Sequence, residues 1–285
     1  MYKLSIITIN YNNSEGLKRT LQSVENQSCL EIEHLIIDGG SSDESVAQIQ
    51  SYEEGIRSIR VDKHTAYPVV SWVSERDGGI YDAMNKGVQK ATGEYLLFLN
   101  SGDTLASPSS LKEMIDQLDG SDFVIGRVYY SRDGKVEGKS PLMGERDMSM
   151  YNMYLRGINH QSALIRRELL IELPYDISVK MGADWKFFMQ AIVLGGASVK
   201  FVNLLFATFD LSGLSSDTQA IIQERKSLLS TFVPERIARD YMAIAPHYYE
   251  VIRINWLLNH PFWYHVYRLW ATLGRMIIHD NGYEE

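Results

Sequence analysis

A few side chains in this sequence have the type and placement to do chemistry. Asp38 follows a short apolar run, Glu33–Ile37. Asn100-Ser101-Gly102-Asp103 follows another, Tyr95–Leu99. Asp184 opens an amphipathic pattern that begins Gly182-Ala183 and ends at Gly195-Gly196. A carboxylate at the carboxyl end of a buried strand lies where open α/β sheets gather ligands. Such an acid holds Mg²⁺ or Mn²⁺ beside a bound phosphate, or takes a proton from a hydroxyl. Each residue also has a structural alternative. Asp38 before Gly39-Gly40 is a natural turn former. Asp103 suits a cap for the turn after it, and Asn100 the end of a strand. Asp184 in a first helical turn is favoured by the helix dipole. His160, at the polar start of a strand-like run, is either a satisfied structural histidine or an acceptor contact.

The elements that must carry these residues are legible in outline. Leu4–Ile9 is a short β-branched run and reads as a buried strand. A polar loop, Asn10-Tyr11-Asn12-Asn13, leads to a helix capped by Asn13 or Ser14, with Leu17, Leu21 and Val24 on one face. Glu33–Ile37 is the second strand. Ser41 and Glu44 have capping-box spacing for a helix over Asp43–Tyr52. A short strand is expected around Ser58–Val61 and a third regular strand over Val69–Ser74. The polar turn Arg76–Gly79 then enters a helix. Ile80, Ala83, Met84, Gly87, Val88 and Ala91 form its apolar stripe; Tyr81, Asp82, Asn85, Lys86 and Gln89 lie on the other side. Asp82 and Lys86 have the spacing of a solvated ion pair; Lys86 and Asn85 are equally candidates to line a pocket. Further on, a helix (Pro108–Leu118), a strand (Phe123–Tyr130) and a Gly- and charge-rich hairpin or mobile loop (Ser131–Glu145) are expected, then strands near Ile158–Ile165 and Val199–Phe209. The alternation βαβα predicts an α/β fold whose loops gather at one sheet edge.

The totals exclude several classes. Net charge is −8 in 285 residues, with 45% apolar residues. That is a globular composition, and its acidity argues against a general nucleic-acid binder. One cysteine, Cys29, permits no internal disulfide. The glycines form neither a dinucleotide fingerprint after a strand nor a P-loop, and no zinc spacing is present. The N-terminus enters a strand without a basic leader, and no apolar run reaches membrane-spanning length, so a cytoplasmic location is expected.

Six segments together resemble the inverting family 2 glycosyltransferases of the GT-A fold, in particular bacterial polysaccharide members of the colanic-acid kind. They are SIITINYN (Ser5–Asn12), LIIDGGSSDES (Leu35–Ser45), SERDGGIYDAMNKG (Ser74–Gly87), ATGEYLLFLNSGD (Ala91–Asp103), NHQSALIRREL (Asn159–Leu169) and GADWKFFMQ (Gly182–Gln190). The resemblance implies a mixed, mostly parallel sheet flanked by helices and a Rossmann-like nucleotide-diphospho-sugar site. Ile9, Asn10, Tyr11, Asp38 and Gly39 would face the nucleotide. Gly79, Asp82, Asn85, Lys86, Asn100 and Ser101 would line the donor sugar and diphosphate, and Asp103 would hold Mg²⁺ or Mn²⁺. His160 and Gln161 would meet the acceptor, a saccharide or lipid-linked hydroxyl compound. Asp184 would be the general base for a single inverting displacement. Two departures stand out. Gly39 replaces the second acid of the usual Asp-Asp, and Gly102 stands in the register of the metal-holding carboxylate. The alternative function is therefore a non-catalytic nucleotide-sugar-binding or partner subunit. A nucleotidyltransferase would need a Gly-rich basic loop after the first strand, which Asn10–Asn13 is not.

The domain expected over residues 1–216 is followed by a helical extension, 217–285. Its Trp256, Phe262, Trp263, Tyr264, Tyr267 and Trp270, with Arg253, Arg268 and Arg275, form aromatic–basic helices divided by Pro261. Such helices pack on the core, on a second subunit of a homo-oligomer, or against a membrane surface.

Overall fold

The computed structural model describes residues 2–29, 31–63, 68–132, 134–212, 218–244 and 247–280. In chain order the elements are β1 (Leu4–Asn10), α1 (Ser14–Glu25), β2 (Glu33–Asp38), α2 (Ser45–Lys63), β3 (Val69–Ser74), α3 (Ile80–Lys90), β4 (Tyr95–Phe98) and β5 (Thr104–Leu105). Then come α4 (Ser110–Ile115), β6 (Phe123–Arg132), β7 (Lys135–Lys139), α5 (Met150–Leu155), β8 (Ala163–Arg166), α6 (Arg167–Glu172), α7 (Ala183–Phe188) and β9 (Val199–Asp210). Helices α8 (Thr218–Phe232), α9 (Glu235–Ile244), α10 (Tyr248–Leu258) and α11 (Pro261–Asp280) close the chain.

The strands form one sheet in the order β3-β2-β1-β4-β8-β6-β9-β5, with β7 paired to β6. β3, β2, β1 and β4 run parallel. β8 reverses against β4, and β6 and β9 continue the sheet beyond it. β1 and β2 are buried along their whole length, so they read as unbroken apolar runs rather than alternating ones. The register places Asn10 beside Asp38, and Asp38 beside Ser74. Three polar residues thus end three adjacent strands in one row.

Helices cover the sheet through stripes the sequence already carries. On one side Leu17 and Leu21 of α1 meet Ile36 of β2 and Ile49, Tyr52 and Ile56 of α2. The larger cluster joins Leu4, Ile6, Tyr95, Leu97, Val124, Leu164 and Phe206. Burial of each such side chain contributes about 1.5–3 kcal/mol relative to exposure.

Several expectations need correction. No strand forms around Ser58–Val61, because α2 continues to Lys63. Its spacing of Ile49, Tyr52 and Ile56 keeps one helical face buried beyond Tyr52. The capping box of Ser41 and Glu44 is not made. Asp43 Oδ1 accepts from Ser45 N (3.0 Å) instead, while the Ser41 hydroxyl is committed to Asp38. Within Ser131–Glu145, expected as a hairpin or mobile loop, β7 pairs antiparallel with β6. The α7 helix passes into a π-helical turn over Met189–Leu194 before Gly195.

By its internal contacts the chain divides into Met1–Phe232 and Val233–Glu285. The boundary expected at Ser216 lies outside the described residues. Within the second unit, α10 ends at Leu258 and α11 starts at Pro261, where a proline's missing N–H costs nothing. Phe262, Trp263, Val266, Tyr267, Leu269 and Trp270 of α11 are all exposed. Among the described residues, no helix is long and apolar enough to cross a membrane.

Candidate active site

Asp38 sits at the centre of the strand ends and is fully buried. Oδ1 accepts from Asn10 Nδ2 (2.8 Å) and Ser41 Oγ (2.6 Å). Oδ2 accepts from Ser74 Oγ (2.6 Å), Ser41 N (2.9 Å) and Gly40 N (3.2 Å). Burial pushes its carboxyl up, but these bonds outweigh burial and hold it below the ordinary carboxylate value. Its bonding capacity is spent inside the protein. Asp38 ties the ends of β1, β2 and β3 together and shapes the loop above them. Ile9 and Asn10 are likewise buried, whereas Tyr11 is 66% exposed.

The turn Asn100–Asp103 is held from below by α1. The Thr20 hydroxyl donates to Asp103 O (2.7 Å) and accepts from Gly102 N (3.0 Å). Asn13 Nδ2 donates to Ser101 O (3.1 Å), and Ser101 N to Ile9 O (3.0 Å). Gly102 has φ +109, a conformation that favours glycine. Asp103 is turned inward rather than toward the rim. It is buried, with Oδ1 accepting from Asp210 N (3.0 Å) and Oδ2 from Gln161 Nε2 (2.9 Å). Burial raises its carboxyl to about 6. Asp103 therefore does not fit as the presented metal ligand, and Gln161, also buried, is committed to Asp103 rather than to an acceptor.

Asp210, at the end of β9, was not singled out by the sequence. A Cβ on Gly102 would lie 3.2 Å from its Oδ2. Arg19 of α1 pairs with that oxygen at 3.0 Å. Asn100 Oδ1 is buried and has no hydrogen-bond partner among the described residues. No group of three or more His, Cys, Asp or Glu side chains suited to a metal occurs among those residues.

The residues around α3 divide into two sets. Asn85 clamps the backbone of Tyr175, donating from Nδ2 to its O (2.8 Å) and accepting from its N (3.0 Å). Lys86 pairs with Glu75 (3.2 Å) and Asp82 (3.4 Å), and Asp82 also accepts from Gly78 N (2.9 Å). Gly79, with φ +121, starts α3 behind this loop. Tyr81 lies, as expected, on the side of α3 away from the apolar stripe, but not in solvent. It is buried, and its hydroxyl donates to Asp184 Oδ1 (3.0 Å). Tyr175 and Phe98 pack their rings behind it.

Asp184 is the hub of the second half of the site. It stands in the first turn of α7, where the helix dipole favours an anion. Oδ1 also accepts from Trp185 N (2.8 Å), and Oδ2 lies 2.9 Å from His160 Nδ1. The far ring nitrogen, Nε2, is 3.1 Å from Asn100 Nδ2. With the amide donating to Nε2, the imidazole proton sits on Nδ1 and is donated to Asp184. Burial pushes the Asp184 carboxyl up. The hydrogen bond from His160, then the Trp185 N–H and the Tyr81 hydroxyl, reverse this, and it stays below the ordinary carboxylate value. The side chains of His160 and Asp184 remain 14% and 19% exposed. The chain Asn100–His160–Asp184–Tyr81 thus joins the turn after β4, the turn before β8, α7 and α3. An ionised acid held by three donors accepts a proton without first reorganising.

The chain is similar to known proteins in sequence and in fold. The pattern of Glycosyl transferase family 2 matches residues 5–174. An uncharacterized glycosyltransferase of Mycobacterium tuberculosis is 32% identical over 218 residues, covering 75% of this chain and 77% of that one. The PGL/p-HBAD biosynthesis glycosyltransferase of Mycobacterium bovis is 30% identical over 220 residues, covering 75% and 79%. Among solved structures, S. aureus TarS 1–349 in complex with UDP-GlcNAc superposes with a TM-score of 0.58 at 19% identity, over 85% of this chain and 71% of that one. The mannosyltransferase PcManGT from Pyrobaculum calidifontis, in complex with GDP-Man and Mn²⁺, gives 0.53 at 16% identity, over 97% and 85%. These structural likenesses support the GT-A architecture. The chain belongs to glycosyl transferase family 2.

Proposed function

We propose that this glycosyltransferase moves a sugar from a nucleotide-diphospho-sugar to an acceptor hydroxyl in one inverting displacement, with Asp184 as general base. The observation that carries the reading is a partly exposed Asp184 side chain whose carboxylate is held by His160, Tyr81 and the Trp185 N–H. The acceptor oxygen attacks the anomeric carbon as the bond from that carbon to the phosphate oxygen breaks. The hydroxyl proton passes to Asp184, and the electron pair leaves on the nucleoside diphosphate. His160 and Tyr81 keep the carboxylate oriented and ionised beforehand.

A divalent ion bound with the donor would neutralise charge on the leaving diphosphate. Among the described residues Asn100 Oδ1 has no hydrogen-bond partner and would suit it, whereas Asp103 is held by Asp210 N and Gln161, and Asp210 by Arg19 and Ser212. The acceptor we place on a saccharide or lipid-linked carrier. The exposed aromatic side of α11 supports a peripheral position at an anionic membrane surface.

Asp184→Asn tests the base. Turnover of UDP-, GDP- and dTDP-sugars with a lipid-linked acceptor should fall by about 10²–10⁴-fold, with nucleotide affinity retained. Product from the wild type should carry the inverted anomeric configuration by NMR. Equal turnover in both proteins would remove Asp184 from the reaction. Nucleotide binding without turnover of any donor by the wild type would favour a non-catalytic nucleotide-sugar-binding subunit.

A further inference from the structure

Gly39 follows Asp38 directly in the loop after β2, and the space beside this glycine is filled from elsewhere in the chain. A Cβ built on Gly39 would come within 2.6 Å of Asp77 Oδ2 and 3.3 Å of Tyr11 Cδ2. Beside it, Gly40 (φ +79) lets the turn approach the backbone of the next loop, so that a Cβ there would meet Arg76 N at 3.3 Å. The segment Glu75–Asp77 is therefore laid over the Gly39-Gly40 turn, and the Asp77 carboxylate stands where a side chain at position 39 would start. Asp38 offers nothing here, because both its oxygens are spent on Asn10, Ser41, Ser74 and Gly40.

Asp77 is not spent in the same way. Oδ1 accepts from Gly79 N (2.9 Å), which orients the carboxylate. Oδ2 has no hydrogen-bond partner among the described residues, and the side chain is half-buried. Tyr11, exposed over two thirds of its surface, borders the same space. An oriented acceptor-only oxygen beside an open aromatic ring suits a flat heterocycle bearing a ring N–H.

Resting on the nucleotide-sugar reading above, we propose that Asp77 is the nucleobase-reading carboxylate of this protein. It accepts from the ring N–H of uracil, thymine or guanine, with Tyr11 against the base. Cytosine and adenine present a bare ring nitrogen there, an acceptor facing an acceptor, and are rejected. A site built to bond an N–H discriminates strongly against a ligand without it, since its own buried polar atom is left unpaired.

Asp77→Asn is the variant to make. Its amide oxygen still accepts from Gly79 N, so the loop keeps its anchor, and its NH₂ now replaces Oδ2. Calorimetry on the full chain with UDP, dTDP, GDP, CDP and ADP reads the effect. For the wild type, one or more of UDP, dTDP and GDP should bind at least tenfold more tightly than CDP and ADP, and the three arms identify which base is taken. For Asp77→Asn that preference should fall at least tenfold, with CDP unchanged or improved. Equal weakening of all five ligands, or an unchanged ratio of UDP and GDP to CDP, overturns the assignment while leaving the donor reading intact. No binding of any of the five to the wild type overturns the donor reading, and this assignment with it.

Discussion

Tyr81 Oη donates to Asp184 Oδ1 across 3.0 Å, joining two residues 103 positions apart in sequence. The bond links α3, which follows the loop after β3, to the first turn of α7. Tyr81 is buried, and burial, then the Asp184 charge, push its own hydroxyl well above the ordinary tyrosine value, so it acts only as a donor. It stabilises the ionised form of Asp184 together with His160.

Tyr81→Phe therefore has a signed effect. Removing a donor to the carboxylate raises the Asp184 pKa from its depressed value. The acid limb of the kcat/KM profile moves to higher pH. A hydrogen bond to a charged group contributes about 1.5–3 kcal/mol, so kcat should fall roughly tenfold while donor affinity changes little. An unshifted acid limb in a stopped-assay pH series would separate Tyr81 from the base.

His34 sets an acid limit on stability. Its ring is fully buried between Thr8 Oγ1 (3.0 Å) and Tyr52 Oη (3.0 Å), and burial lowers its pKa from 6.5 to about 3. The Thr8 hydroxyl proton goes to Leu99 O (2.8 Å), so Nε2 carries the imidazole proton and Nδ1 accepts from Tyr52. Between about 3 and 6.5 the unfolded chain binds a proton that the native chain does not. Stability from this group is present above pH 6.5 and is lost as pH falls toward 3, by about 1.4 kcal/mol per unit. Urea midpoints measured from pH 7 to pH 4 should show that slope, and His34→Gln should flatten it.

Gly87 marks the closest approach of α3 to the sheet. A Cβ there would run into Ile7 Cγ2, and Ile7 is completely buried in β1. Gly87→Ala gains helix propensity but overpacks a rigid contact, so a net loss of about 1–3 kcal/mol is expected. Removing the opposing Cγ2 in Gly87→Ala/Ile7→Ala should cost less than the sum of the two single substitutions. Thermal unfolding of the wild type, both single variants and the double variant checks the coupling.

The exposed face of α11 is testable apart from catalysis. Phe262, Val266, Leu269 and Trp270 recur at helical spacing, with Trp263 and Tyr267 beside them. Cosedimentation with phosphatidylglycerol vesicles should exceed that with phosphatidylcholine vesicles. Trp263→Ala/Trp270→Ala should reduce it about tenfold or more, since each aromatic ring buries a large apolar area. Turnover with a water-soluble acceptor should be unaffected. Equal sedimentation of variant and wild type would remove the lipid surface as the partner of α11.

Much of this architecture was written into short runs of sequence. The apolar, β-branched stretches Leu4–Ile9, Leu35–Ile37 and Tyr95–Leu99 specify strands buried on both faces, and the stripes of α1 and α3 specify the helices between them. Parallel strands joined by helices must bring their carboxyl ends to one edge, so Asn10, Asp38 and Asn100 were bound to meet there. Asp184 was also visible, as an acid at a helix start. What sequence could not decide was the direction each polar side chain takes. Asp38, Asp103 and Gln161 turn into the protein because donors from Ser41, Ser74, Asp210 and one another satisfy them there. Tyr81 shares a helical side with Asp82 and Lys86, yet it meets a carboxylate that only tertiary packing delivers. Asp77 looked like an ordinary turn residue until Gly39 left a space beside it. Periodicity records which face of an element is apolar, whereas a hydrogen bond between distant loops depends on distances of a few tenths of an ångström, set only when the whole sheet and its helices are packed.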